Sequence, residues 1–178
     1  MAALLIAFAG LPGTGKTTLA RRLARQLGAV YLRIDTIEQA IRDAGVLQGE
    51  VGPAGYLAAY GLAAENLRLG RSVVADSVNP LQITRESWRE VAAAATARLV
   101  EIEVVCSDAA EHRRRVETRR REPGPEDIEG LTQPAWQEVV DRAYEPWDRP
   151  PLVVDTAGRS ADAIAADLID QLGLSVVA

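Results

Sequence analysis

The residues whose types and spacing could do chemistry begin with Gly10-Leu11-Pro12-Gly13-Thr14-Gly15-Lys16-Thr17, followed by Thr18. This stretch satisfies G-x-x-x-x-G-K-[ST] at every fixed position. Its glycines free the backbone to turn successive N–H groups inward, and the opening of a helix adds the positive end of its dipole. Such a nest holds phosphate. Lys16 can reach a β- or γ-phosphate, and the Thr17 hydroxyl can complete a Mg²⁺ shell. The bland alternative is a glycine-rich turn with no ligand, but the flanking strand and helix argue against it. Lys16 is also the one lysine beside nineteen arginines, placed where a slim cation must fit next to phosphate. The stretch reads as an ATP or GTP site.

The elements that position this loop follow from periodicity. Residues 4–8 are a continuous apolar run, read as a buried strand, and helical spacing then runs to Gly28. Further strands are expected at 29–34, 72–76, 98–105 and 152–154. Helices are expected at 36–43, 54–69, 84–97, 108–122, 134–144 and 160–172. In the helix at 54–69, Leu57, Tyr60, Gly61, Ala64 and Leu67 are assigned to one side. Pro53 is placed as its first residue, and Asp108 with Glu111 as the capping box of the basic helix. Strands alternating with helices make an α/β fold with a mostly parallel sheet. Ligands bind beyond the carboxyl ends of such strands, so Gly10 to Thr17, Asp35, Asp76 to Asn79 and Asp155 to Gly158 should share one rim.

Length and composition bound the rest. At 178 residues the chain is read as one domain, 1–178, with neither an internal repeat nor a bilayer-length apolar run. Met1-Ala2-Ala3 leads straight into the first strand, which argues against a leader, and the lone Cys106 fits a reducing cytoplasm. Cys106 is expected in the core and His112 at the surface. A net charge of −5 argues against nucleic acid as a partner. Tyr56 and Tyr60 are assigned to core packing rather than to a ligand pocket, and Trp136 and Trp147 to packing around the helix they flank.

In element order and motifs the chain resembles the small P-loop kinases related to nucleoside monophosphate kinases. The nearest branch holds gluconate, shikimate and adenylylsulfate kinases, polynucleotide 5′-kinases and zeta-toxin-type kinases. The resemblance implies a three-layer α/β/α fold with five strands and a small lid at about 113–132. It implies transfer of the ATP γ-phosphate to the hydroxyl of a small molecule with Mg²⁺, by a monomer or homodimer. It places Asp35 at the acceptor hydroxyl as base or orienter, with helix capping through Asp35 and Glu38 as the plainer alternative. Asp76 takes the position of the acid that holds Mg²⁺ through water, beside Thr17. Ser77 and Asn79 stand near acceptor hydroxyls. Among the arginines from 113 to 121, one or two of Arg115, Arg119 and Arg120 should close on the triphosphate, and the rest should be solvated. Asp155-Thr156-Ala157-Gly158 falls where relatives hold adenine. The polynucleotide and toxin branches carry an arginine where Glu38 stands, which weakens a nucleic-acid acceptor, although Arg42 lies one turn on. An ATPase switch without an acceptor and a polynucleotide 5′-kinase remain the alternatives.

Overall fold

A computed structural model of the chain describes residues 3–46, 49–124 and 126–177. Residues 47, 48 and 125, from the expected loop at 45–52 and the expected lid, lie outside that description, as do Met1 and Ala2. The chain runs β1 (Leu4–Ala9), α1 (Lys16–Leu27), β2 (Val30–Arg33), α2 (Ile34–Asp43), α3 (Ala54–Arg68) and β3 (Val73–Asp76). It continues α4 (Gln82–Ala94), β4 (Arg98–Val105), α5 (Ala109–Arg121), α6 (Trp136–Val140), β5 (Leu152–Asp155) and α7 (Ala161–Leu172). The sheet order is β2-β3-β1-β4-β5, and every neighbouring pair is parallel. The sheet is thus parallel throughout, because a helix carries the chain back before each new strand.

β1 lies at the centre, and all six of its residues are buried. Leu4, Ile6 and Phe8 join the core formed with Leu19, Leu23, Ile102 and Ile164. Leu5 and Ala7 point the other way, into the core of Ala59, Ala63, Leu67, Val73 and Trp88. A strand covered on both faces needs apolar residues at every position, which explains the unbroken run. The all-parallel order sends the ends of β1, β2, β3 and β5 to the same edge, where Gly10, Asp35, Asp76 and Thr156 emerge.

Four local expectations change. β2 stops at Arg33, and α2 begins at Ile34, so Asp35 is the second residue of a helix rather than the end of a strand. In α3 the buried stripe is Gly55, Ala59, Ala63 and Leu67, while Leu57 is exposed. That helix is apolar nearly all round, so its phase was not fixed by its own sequence; Pro53 is its N-cap rather than its first residue. The helix expected at 134–144 is a single short turn, Trp136–Val140.

The chain after α6 wraps a cation instead. Arg85 of α4 is fully buried and donates to four backbone carbonyls, those of Asn79 (3.1 Å), Pro80 (3.2 Å), Glu145 (2.9 Å) and Pro146 (3.1 Å). Its guanidinium also lies 4.1 Å from the Trp147 ring centroid and 5.0 Å from that of Tyr144. Removing it strands three of these acceptors, since Pro80 O keeps the Glu145 N–H at 2.8 Å. Arg85→Met should therefore lower the unfolding free energy by about 3 kcal/mol or more in urea denaturation. A loss below about 1 kcal/mol would show that these carbonyls find other partners.

Candidate nucleotide and acceptor site

The loop between β1 and α1 is pinned from three sides. Gly10 N–H donates to Val78 O at 3.1 Å, and Gly10 has φ +130° with no room for a side chain, since a Cβ would lie 2.2 Å from Val104 O. Thr14 donates to Leu11 O from both its N–H (3.4 Å) and its hydroxyl (2.9 Å). The Thr156 hydroxyl, just past β5, donates to Thr14 O at 2.7 Å. His112 of α5 meets Pro12 O through Nε2 at 2.8 Å, and a carbonyl only accepts, so Nε2 carries the proton. Contrary to the expected surface position, His112 is buried, edge-on to Trp136 with centroids 5.1 Å apart.

Gly15, at φ +95°, is the N-cap of α1, and the first helical N–H bond runs from Leu19 to Gly15 O. The N–H groups of Lys16, Thr17 and Thr18 are therefore left without helical acceptors, as at any helix start. Lys16 is buried, with Nζ 3.3 Å from Leu11 O. Burial pushes its ammonium below the usual lysine range, while Asp76 and Asp35 pull it back. A buried cation, free N–H groups and a glycine-lined wall suit an anion.

Two cavities meet at this point. One, of about 310 Å³, is bounded by Gly13, Gly15, Lys16, Thr17 and Thr18 on one side and by Arg115, Arg119, Thr156 and Arg159 on the other. The second, of about 200 Å³, is lined by Lys16, Thr17, Asp35, Glu38, Arg42, Asp76, Ser77, Arg119 and Arg142, among others. Lys16, Thr17 and Arg119 belong to both.

Asp76 is buried at the end of β3, and its Oδ2 accepts from Tyr31 Oη at 2.7 Å. Burial and the Asp76 charge push the Tyr31 phenol well up, so it remains a donor. Between Asp76 and Asp35 stands Arg33, 5% exposed, which sequence reasoning did not single out. Its Nε is 3.9 Å from Asp76 Oδ2, its Nη2 3.7 Å from Asp35 Oδ2, and its Nη1 donates to Glu126 O at 3.0 Å. Arg33 and Asp76 are register partners on β2 and β3, which is what juxtaposes them. Asp35 makes no capping bond, because the N-cap of α2 is Arg33. The capping alternative for Asp35 is set aside, and its half-exposed carboxylate faces the smaller cavity.

The arginines divide by helical phase. Arg115 and Arg119, four residues apart on α5, face the loop. Arg115 donates to Thr156 Oγ1 (2.8 Å), Thr156 O (3.1 Å) and Glu111 Oε1 (2.6 Å). Arg119 pairs with Asp127. Arg120, one residue further round the helix, is exposed and lines neither cavity, so it leaves the candidate set. Asp108 caps α5 by accepting from Ala110 and Glu111 N–H, as its D-x-x-E spacing suggested. Glu111 is occupied elsewhere, by Arg115 and the Gly158 N–H.

Other expectations also shift. Asn79 is buried behind the site and, unlike Ser77, does not line the smaller cavity. Cys106 is half-buried just past β4, not in the core. Tyr56 and Tyr60, by contrast, pack on the second core as expected, Tyr56 Oη accepting from Asn79 N–H at 3.0 Å. Asp155 organises its own turn by accepting from Ser107 and Ala157 N–H, and these bonds hold its carboxyl down at about 2.

Comparison with known proteins fits this geometry. Uncharacterized protein Rv2004c of Mycobacterium tuberculosis is 36% identical over 104 residues, covering 52% of this chain and 21% of that protein. The chain thus spans about a fifth of the length of that relative. Among solved structures, Kti12 of Chaetomium thermophilum in complex with ADP-AlF3 aligns with TM-score 0.70 and 25% identity over 98% of this chain and 100% of that one. The Mycobacterium tuberculosis APS kinase CysC in complex with AMPPNP and APS aligns with TM-score 0.70 and 22% identity over 97% and 98%. The neighbours share the parallel sheet and nucleotide-binding fold of the P-loop kinases. The family model described as an AAA domain (AAA_33) matches residues 5–146, and the chain belongs to that family.

Proposed function

We propose that the chain is a phosphotransferase that moves the γ-phosphate of ATP to a hydroxyl of a small molecule, with Mg²⁺. The observation that carries this reading is the sharing of Lys16, Thr17 and Arg119 by two cavities, the second of which also contains Asp35. ATP occupies the larger cavity with its γ-phosphate at that junction, and the acceptor occupies the smaller one. The acceptor oxygen attacks the γ-phosphorus, the bond to the β-phosphate oxygen breaks, and ADP leaves. Asp35 takes the proton of the attacking hydroxyl. Lys16 and Arg119 offset the charge that spreads over the transferred group, and Arg115 borders the same phosphates. Thr17, and Asp76 through the carboxylate oxygen that Tyr31 leaves free, would hold Mg²⁺, which when bound neutralises β- and γ-phosphate oxygens.

Removing the base while keeping its shape tests the assignment. With γ-labelled ATP and a panel of small hydroxyl compounds, wild-type protein should label at least one acceptor. Asp35→Asn should transfer about 10²-fold or more slowly with ATP affinity within about twofold. Full transfer by the variant would remove Asp35 from the chemistry. Phosphate release that no acceptor raises would favour an ATPase switch.

The burial of Glu38 in the acceptor cavity can be checked separately. Glu38 lines that cavity and pairs with Arg42 at 3.3 Å, yet burial first, then neighbouring Asp35, raise its carboxyl above the usual range. The folded chain thus binds this proton more tightly than the unfolded one, so Glu38 weakens the fold as pH rises from about 4.3 through its raised folded value. Glu38→Gln lacks that titration. Urea denaturation at about pH 4 and about pH 7 should show the stability difference moving in favour of the variant at the higher pH. Movement the other way would contradict the buried placement.

A further inference from the structure

Arg119 borders both cavities, and a long side chain at such a junction has many rotamers to lose. It is held by Asp127. The Asp127 carboxylate accepts from Arg119 Nε at 2.5 Å and is also paired with Nη2, a two-nitrogen grip on one guanidinium. The carboxylate is itself fixed. Its Oδ2 accepts from Gly124 N–H at 2.8 Å, while Asp127 N–H donates to Gly124 O at 2.9 Å. Gln133 Nε2 stands 3.5 Å from Oδ1, and the side chain is only 10% exposed. The neighbouring Glu126 carbonyl accepts from Arg33, the buried cation between Asp35 and Asp76. Asp127 lines neither of the two cavities described above; it lines a third, of about 530 Å³, on the other side of Arg119, with Thr18 and Arg115.

We infer that Asp127 is a positioning residue, one that aims the Arg119 guanidinium at the group in transfer without touching that group. Glu126 and Asp127 then join two arginines into one frame: Arg33 between the acidic pair and Arg119 at the phosphate junction. An acidic residue in a Pro-Gly-acid loop thereby acquires a task that its composition does not disclose. The inference rests on the phosphoryl-transfer reading, but its test needs no acceptor.

The test is a double-mutant cycle read by affinity for ADP with Mg²⁺ and aluminium fluoride, a mimic of the transferring phosphoryl group, against affinity for ADP with Mg²⁺ alone. Asp127→Asn should weaken the fluoride complex about tenfold while ADP affinity stays within about twofold. In an Arg119→Gln background, Asp127→Asn should cost less than about twofold, since nothing remains to aim. Asp127→Glu, which keeps the charge, should recover part of the loss. Three results would overturn the proposal: an equal loss of ADP and of the fluoride complex, a full loss in the Arg119→Gln background, or tighter fluoride binding by Asp127→Asn, which would make Asp127 a competitor for Arg119. No fluoride complex with wild-type protein would overturn the phosphoryl-transfer reading itself and the proposal with it. A wild-type complex with an additive cycle would overturn the proposal alone.

Discussion

The site is organised by a buried ammonium group. Lys16 lies under the glycine-rich loop with one carbonyl, that of Leu11, within hydrogen-bonding reach, and burial alone would favour its neutral form. Two acids offset that tendency. Asp76 and Asp35 sit close enough to favour the charged ammonium, and Arg33 between them limits their mutual repulsion. A cation so placed gains most from an anion that reaches it without water. The loop glycines, the open start of α1 and the Arg115–Thr156 contact all shape the space where such an anion would lie.

The parallel sheet makes this arrangement possible. Strand order β2-β3-β1-β4-β5 places Asp76 beside the loop that follows β1, and places Arg33 beside Asp76. β5, at the far edge of the sheet, returns Thr156 to the loop through a hydrogen bond to Thr14 O. α5 packs against the loop, contributing His112 at the Pro12 carbonyl and Arg115 and Arg119 to the cavity lining. The contributions come from the ends of β1, β2, β3 and β5 and from one face of α5, so the site depends on the fold being complete rather than on any single segment.

Much of this was legible in the sequence because local rules act locally. The loop needed glycines at fixed spacing, β1 needed an unbroken apolar run, and Asp108 needed only its own helix to cap. What was not legible depends on long-range partners. The charges of Arg33 and Arg85 gave no hint of burial, because burial was decided by Asp76 on a neighbouring strand and by carbonyls about sixty residues away. His112 looked like a surface residue among arginines, but its Nε2 donates to the carbonyl of Pro12, a hundred positions earlier, and the ring is buried. The phase of α3 failed for the opposite reason: alanines and leucines all round left two faces equally apolar, and the sheet chose the one led by Ala59 and Ala63. Arg120 was grouped with Arg115 and Arg119 by composition, and helical phase separated it.

In the proposed function, Lys16 is the cation that a nucleotide phosphate comes to meet. Calorimetric titration of ATP with Mg²⁺ into wild-type protein and into Lys16→Ala tests that most directly. Saturable one-site binding by the wild type, weakened about tenfold or more by the substitution, is the predicted result. Equal affinity in the two proteins, or no ATP binding by the wild type, would contradict it.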